Sequence, residues 1–290
     1  MKKTIQMNNA HDHVRRIFPL GGEIWQKDVV LFRACDSLRL MRIFLFLNIF
    51  LLVGLVSALA QGSPPFLTDD AGTVEKNQWE LDVGFSTERS QNGDCTSSAP
   101  SISLCYGLTD QFEIDYGVPL LVVRVEGESA QSGLGNSVAG VKWRFFEDRG
   151  AKFAVSVNPQ VEFNNPTSSR RRGLVENSTE FLLPFQVQKS FGDFDTALNV
   201  GRTFHGRESS ETDGWMAGVA AGRKISKHIH AGVELFGEAA RKLDRGHLIL
   251  NVGVIFEIND KVSLSASAGR GIAGADRPDF VGFIGVALIR

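Results

Sequence analysis

Residues 151–163 read AKFAVSVNPQVEF. From Phe153 onward, Phe153, Val155, Val157, Val161 and Phe163 alternate with Ala154, Ser156, Asn158, Gln160 and Glu162. A period of two is the signature of a strand with unlike faces. The fold turns on which of those faces meets water.

The pattern is not local. QWELDVGFS (78–86) sets Trp79, Leu81, Val83 and Phe85 against Glu80, Asp82, Gly84 and Ser86. SISLCYGL (101–108) and QFEIDYGV (111–118) repeat it, the latter with Phe112, Ile114, Tyr116 and Val118 against Glu113, Asp115 and Gly117. Around 138–146, Ala139, Val141, Trp143 and Phe145 oppose Gly140, Lys142 and Arg144. Further copies lie near 178–190, 193–204, 213–225, 228–240, 246–258, 261–271 and 279–289. About twelve strands of roughly ten to thirteen residues result, the length a tilted membrane-spanning strand needs.

The connections sort into two kinds. Thr109-Asp110, 147–150, Gly192-Asp193, Ser226-Lys227 and Asn259-Asp260 are tight and rich in turn residues. Those between them, 89–97, 123–133, 165–176, 205–212, 241–245 and 272–278, are longer and more polar. Strict alternation of short and long connections suits an outer-membrane barrel, with short periplasmic turns and long outer loops. The expected fold is therefore all-β: a closed antiparallel transmembrane β-barrel of about twelve strands, apolar face to lipid and polar face to the lumen. Closure satisfies ladder hydrogen bonds that an open sheet edge in lipid would leave unmade. A soluble β-sandwich is the alternative.

Aromatic placement supports the barrel. With a periplasmic N-terminus, Trp79, Tyr106, Phe112, Trp143, Phe145, Phe153, Phe194 and Phe256 fall near periplasmic ends, and Phe85, Phe163 and Trp215 near outer ends. Two girdles match the two bilayer interfaces. Pro159 and Pro184 sit inside predicted strands, where bulges are expected.

The region before the strands reads as export machinery. Residues 41–60, MRIFLFLNIFLLVGLVSALA, place Arg42 before an apolar run and end in Ala58-Leu59-Ala60, the order of a secretory signal peptide cleaved before Gln61. An uncleaved anchor over 43–59 is the alternative. Residues 1–40 read as an upstream extension, with Met41 the expected start and Met1 the alternative. Residues 61–75, QGSPPFLTDDAGTVE, form a periplasmic N-terminal segment that could enter the lumen or lie beneath it, and 76–290 form the barrel.

Composition excludes one class. Across 290 residues, 43% hydrophobic and 22% charged with a net charge of −2, no basic excess suggests nucleic acid as a partner. Cys95 and Cys105 are expected to be unpaired, since an extended strand between them separates them by more than a disulfide spans. No Cys/His spacing suggests a metal, and no cofactor is expected.

The chain resembles a bacterial family of outer-membrane barrels labelled "putative MetA-pathway of phenol degradation", or transporter. The stretches that carry the resemblance are PPFLTDDAGTVEKNQWELD (64–82), YGLTDQFEIDYGVPL (106–120) and GLGNSVAGVKWRFFED (133–148). Two features depart from the pattern: Asn136 stands where Asp is expected, and the chain ends Leu288-Ile289-Arg290 rather than on an aromatic. The resemblance implies passage of aromatic or other small hydrophobic compounds.

Register assigns Glu80, Asp82, Glu113, Asp115, Lys142, Arg144, Asn158, Gln160, Glu162, Gln186, Asn199, Glu234, Asn251 and Glu257 to the lumen. Both signs are present, so a strongly ion-selective pore is not indicated. The expected function is an outer-membrane channel or transporter for small solutes. A plugged structural or adhesive barrel without transport is the alternative. A barrel hydrolase is a third reading: His228 and His230 share a face with Glu234, yet no local signature of a catalytic triad accompanies them, so no enzyme is expected. The expected partners are the lipid bilayer, a small-molecule solute and lipopolysaccharide. Arg170, Arg171 and Arg172, in an outer loop, could contact lipopolysaccharide phosphates; a solvated loop is the plain alternative. Oligomeric state is left open.

Overall fold

The computed structural model describes residues 65–175, 178–206, 213–240, 246–275 and 277–290. The signal peptide and upstream extension expected before residue 61 lie outside the described residues.

Fourteen strands form one antiparallel sheet: β1 (Trp79–Arg89), β2 (Cys95–Thr109), β3 (Phe112–Arg124), β4 (Gln131–Leu134), β5 (Ser137–Asp148), β6 (Phe153–Val157), β7 (Gln160–Phe163), β8 (Glu180–Phe191), β9 (Phe194–His205), β10 (Gly214–Lys224), β11 (Ile229–Ala240), β12 (Gly246–Asn259), β13 (Val262–Gly274) and β14 (Phe280–Ile289). β4 continues the β5 stave along the outer end of β3, and β6 and β7 are likewise halves of one broken strand, so the wall has twelve staves. β1 pairs with both β2 and β14, which closes the sheet. The seam is completed by Trp79 and Arg290, whose backbones exchange hydrogen bonds of 2.7 and 2.8 Å.

Short turns link β2–β3, β5–β6, β8–β9, β10–β11 and β12–β13, all at one end. The long connections open at the other. One leads into β4; another carries a single helical turn, α1 (Thr167–Arg171). The structure thus has the expected alternation of connection length.

The burial pattern answers which face is wet. Gln186, Glu234, Asn199 and Ser156 are fully buried, whereas Trp79, Phe85, Tyr116, Phe185, Val252 and Ile284 are exposed. This inverts the usual ordering of a soluble protein. The apolar face is the outer surface that lipid covers, and the polar face lines the interior. Among the outward aromatics, Phe112 stacks on Trp143 (5.6 Å between centroids) and Trp79 packs on Tyr106 (4.3 Å) near the short-turn end. Phe181 meets Phe204 near the other end (6.0 Å). Cys95 and Cys105 are both free thiols.

The two strand prolines resolve into one defect. Pro159 breaks the stave between β6 and β7, and the facing β5 ladder shifts register between Trp143 and Phe146. Pro184, by contrast, produces no bulge: the β8–β9 ladder runs through Pro184↔Gly201 without a shift. The expected bulge at Pro184 is therefore corrected. A residue's N–H and C=O point to the same neighbour in an antiparallel ladder. The Pro184 carbonyl accepts from the Asn158 N–H (3.1 Å), so its missing donor faces Asn158, beside the break at Pro159.

Candidate functional site

The interior is occupied by the chain's own N-terminal segment. Residues 65–76 leave the periplasmic end of β1 and run across the lumen, meeting the walls on both sides. Thr68, Asp70, Ala71, Thr73 and Val74 are buried there. Of the two positions open to residues 61–75 in the sequence, the described part, 65–75, takes the lumen.

The anchoring begins beside β2 and β3. Lys76 forms an isolated parallel bridge with Gly107. A Cβ at Gly107 would collide with the backbone carbonyls of Val74 and Glu75, so only glycine admits this approach. The Thr73 hydroxyl donates to the Asp110 carbonyl (2.9 Å), and the Val74 N–H donates to Glu113 Oε2 (2.6 Å).

At mid-lumen the segment becomes anionic. Lys142 Nζ on β5 lies 2.8 Å from Asp69 Oδ2 and 3.9 Å from Asp70 Oδ1. Gln186 Nε2 donates to Asp69 Oδ2 (3.3 Å) and accepts, through Oε1, from the Ser156 hydroxyl (2.9 Å). With its amide oriented to satisfy both groups, Asn199 accepts from the Asp69 N–H (2.8 Å) and donates to the Asp69 carbonyl (2.6 Å). A lone charge in such surroundings would be costly, and pairing with hydrogen bonds is what permits it.

The far side is held by β10 to β13. The Thr68 N–H donates to Glu234 Oε1, and Asn251 Nδ2 donates to Glu234 Oε2 (3.2 Å). The Phe66 ring lies on Gly232 and Gly253, where a Cβ would meet it at 3.2 and 2.9 Å. Ser267 donates to the Pro65 carbonyl (2.8 Å). Wall glycines thus make the shallow seat into which the segment's one aromatic ring fits.

The expected lumen residues all project inward. Glu113, Lys142, Asn158, Gln186, Asn199, Glu234 and Asn251 are buried against or near the segment. Glu80, Asp82, Asp115, Arg144 and Glu257 line the periplasmic half, and Gln160 and Glu162 lie farther out, on β7. Arg144 donates to the Asp110 carbonyl and lies 3.8 Å from Glu147. Asn136, at the departure from the family pattern, donates to Glu162 Oε1 (3.0 Å).

Other inward residues escaped the sequence list. Glu180 faces Glu162 and His205 across the ladders, Glu238 faces His247, Asp195 shares a face with Asn199, and Glu88 continues the inward row of Glu80 and Asp82. Period-two counting from Gln186, Glu234 or Asn199 reaches the first three of these carboxylates, so the signal was present. The interior that results is far more anionic than the sequence list implied. Opposing these carboxylates from the described wall strands are Lys142, Arg144 and, at the mouth, Lys224.

The histidines do not form a catalytic group with Glu234. His230 Nε2 lies 3.1 Å from Glu257 Oε1, and His228 Nδ1 contacts the Glu257 carbonyl (2.9 Å), whereas Glu234 is engaged by Thr68 and Asn251. Among the described residues no cluster of three or more metal-ligating side chains occurs. In the outer loop, Arg172 donates to the carbonyls of Ser132 (2.7 Å) and Ser168 (3.3 Å), fastening α1 to β4, while Arg170 and Arg171 occupy the last turn of α1.

Known structures share this architecture. An outer membrane channel from Pseudomonas putida F1 superimposes with a TM-score of 0.65 at 13% identity, covering 79% of this chain and 100% of that one. The NanC porin superimposes with a TM-score of 0.51 at 8% identity, covering 72% and 98%. At these identities the likeness is one of fold. No curated protein sequence matches the chain. The family profile described as "Putative MetA-pathway of phenol degradation" matches residues 67–285, from within the lumen segment to β14. The chain is an outer-membrane β-barrel and belongs to that family.

Proposed function

We propose that this barrel is a conduit for small solutes across the outer membrane, closed in the described state by residues 65–75. The observation that carries the reading is the nature of the closure. The segment is a single extended strand of chain, with no fold of its own, tethered through polar contacts: Lys142 to Asp69, Glu234 to the Thr68 N–H, and Glu113 to the Val74 N–H. Water or a solute can replace such contacts one at a time. Displacement toward the periplasm would clear the lumen without disturbing the wall ladders.

The family's description points to phenol-type aromatic compounds as the solute class, and small neutral aromatics are the proposed cargo. The outer arginines Arg170 and Arg171 are proposed as lipopolysaccharide contacts at the rim, and the aromatics Trp79, Tyr106, Trp143, Phe153 and Trp215 as interface anchors. No catalytic step is part of this proposal.

The second reading is a permanently plugged structural barrel. The close fit of Phe66 against Gly232 and Gly253 favours it. Protein extracted from outer membranes, inserted in planar bilayers and in liposomes, separates the two. Step conductance and faster swelling in phenol-type solutes support the conduit. A heat-modifiable barrel that gives neither supports the plug.

A further inference from the structure

The distribution of charge inside the barrel specifies what the conduit admits, provided that the conduit reading holds. Carboxylates line the lumen on both sides of the N-terminal segment. Toward the outer mouth stand Glu88, Glu162, Glu180 and Glu238, and toward the periplasm the acidic residues already described on β1, β3 and β9. At mid-lumen the Lys142 ammonium is already engaged by Asp69.

A second observation is independent of charge counting. Three buried asparagines each spend their N–H2 group on a carboxylate: Asn136 on Glu162, Asn158 on Asp115 and Asn251 on Glu234. Each leaves its side-chain oxygen without a donor, although Asn136, Asn158 and Asn251 are only 6%, 4% and 3% exposed. Buried acceptors are ordinarily satisfied. These three asparagines therefore serve as donors to carboxylates, and each keeps an unfilled acceptor in the lumen wall.

We infer that the conduit selects for cationic and N–H-bearing solutes, admits neutral ones, and excludes anions. An ammonium or amidinium group finds acceptors along the whole path. A carboxylate or phenolate meets like charge before and after the segment, in a narrow space where screening is weak. A neutral phenol is thus compatible with the path and its ionised form is not.

The test is the reversal potential of outer-membrane-extracted protein in planar bilayers under a KCl gradient, for the wild type and for Glu162→Gln/Glu180→Gln/Glu238→Gln. The expected result is K+ permeability exceeding that of Cl− in the wild type, with the ratio falling roughly threefold or more in the variant. Liposome swelling should likewise be faster in benzylammonium than in benzoate. A ratio at or below unity, or one that the triple variant leaves unchanged, overturns the inference. If the barrel neither conducts nor swells liposomes, the conduit reading fails on its own. The charge inference is then read by calorimetric titration of the folded protein in micelles with spermidine. Binding that weakens in the triple variant supports it, and no binding by the wild type overturns it.

Discussion

Lys142 on β5 and Asp69 of the N-terminal segment meet at 2.8 Å in the middle of the barrel, where the lysine side chain is 6% exposed. This pair joins the wall to the element that fills the lumen, and Asp70 lies within 3.9 Å of the same ammonium. Its removal should loosen the segment before it affects the wall, because Lys142 contributes its backbone to the β3–β5 ladder whatever its side chain is.

Lys142→Met is therefore expected to raise the open-state conductance or opening frequency while leaving the heat-modifiable mobility shift intact. A charge-assisted hydrogen bond contributes on the order of 2 kcal/mol, about thirtyfold in the balance of docked and released segment. Single-channel recording measures this directly. Opening statistics identical to wild type would mean that the segment is held elsewhere.

Gly253→Val attacks the other end of the segment. A Cβ at Gly253 would lie 2.8 Å from Pro65 Cγ and 2.9 Å from the Phe66 ring, too close for either to stay. Residues 65–70 should become accessible to protease in the folded barrel, with no change in its mobility shift. Continued protection would show that Phe66 does not rest on β12.

The orientation of the wall has its own test. Val219 on β10 is 39% exposed and lies between Leu198 and Leu235 on the neighbouring strands. If that face meets hydrocarbon, Val219→Arg should cost about 2–4 kcal/mol in reversible unfolding from vesicles. A change within about 0.5 kcal/mol, as for a surface position of a soluble protein, would place the face in water.

Much of the wall was legible in the sequence because a strand repeats every two residues. Each inward assignment, from Glu80 to Asn251, follows from the exposed apolar residues beside it, and one slip would have put them all on the wrong side. The breaks were only half legible. Pro159 interrupts its stave, but Pro184 leaves its own straight: the missing donor of Pro184 faces Asn158, beside that break, whereas the missing donor of Pro159 faces Val141 on β5. Sequence spacing cannot show which neighbour each missing donor faces.

Which of its two open positions the N-terminal segment takes was illegible for a different reason. Residues 65–76 carry no period, and their contacts reach across sequence separations of up to 202 residues, from Pro65 to Ser267. Asp69 and Asp70 look like turn residues in isolation. Only closure of the barrel brings Lys142, Gln186, Asn199 and Glu234 to converge on them. The anionic excess, in contrast, was within reach, since Glu180, Asp195 and Glu238 share the parity of residues assigned to the lumen.

If residues 65–75 close a lumen that opens when they move, a reversible tether on them should control conduction. A Cβ built at Gly218 lies 3.3 Å from Thr68 Cβ, near the separation at which two cysteines bridge. Thr68→Cys/Gly218→Cys, in a background with Cys95 and Cys105 replaced by serine, should form a disulfide once the Phe236 ring yields slightly. Bilayer recording before and after reduction then gives the answer. No step conductance is expected from the oxidised barrel, and conductance should appear on adding reductant. Equal conductance in both states, or failure of the two thiols to bridge, would contradict it.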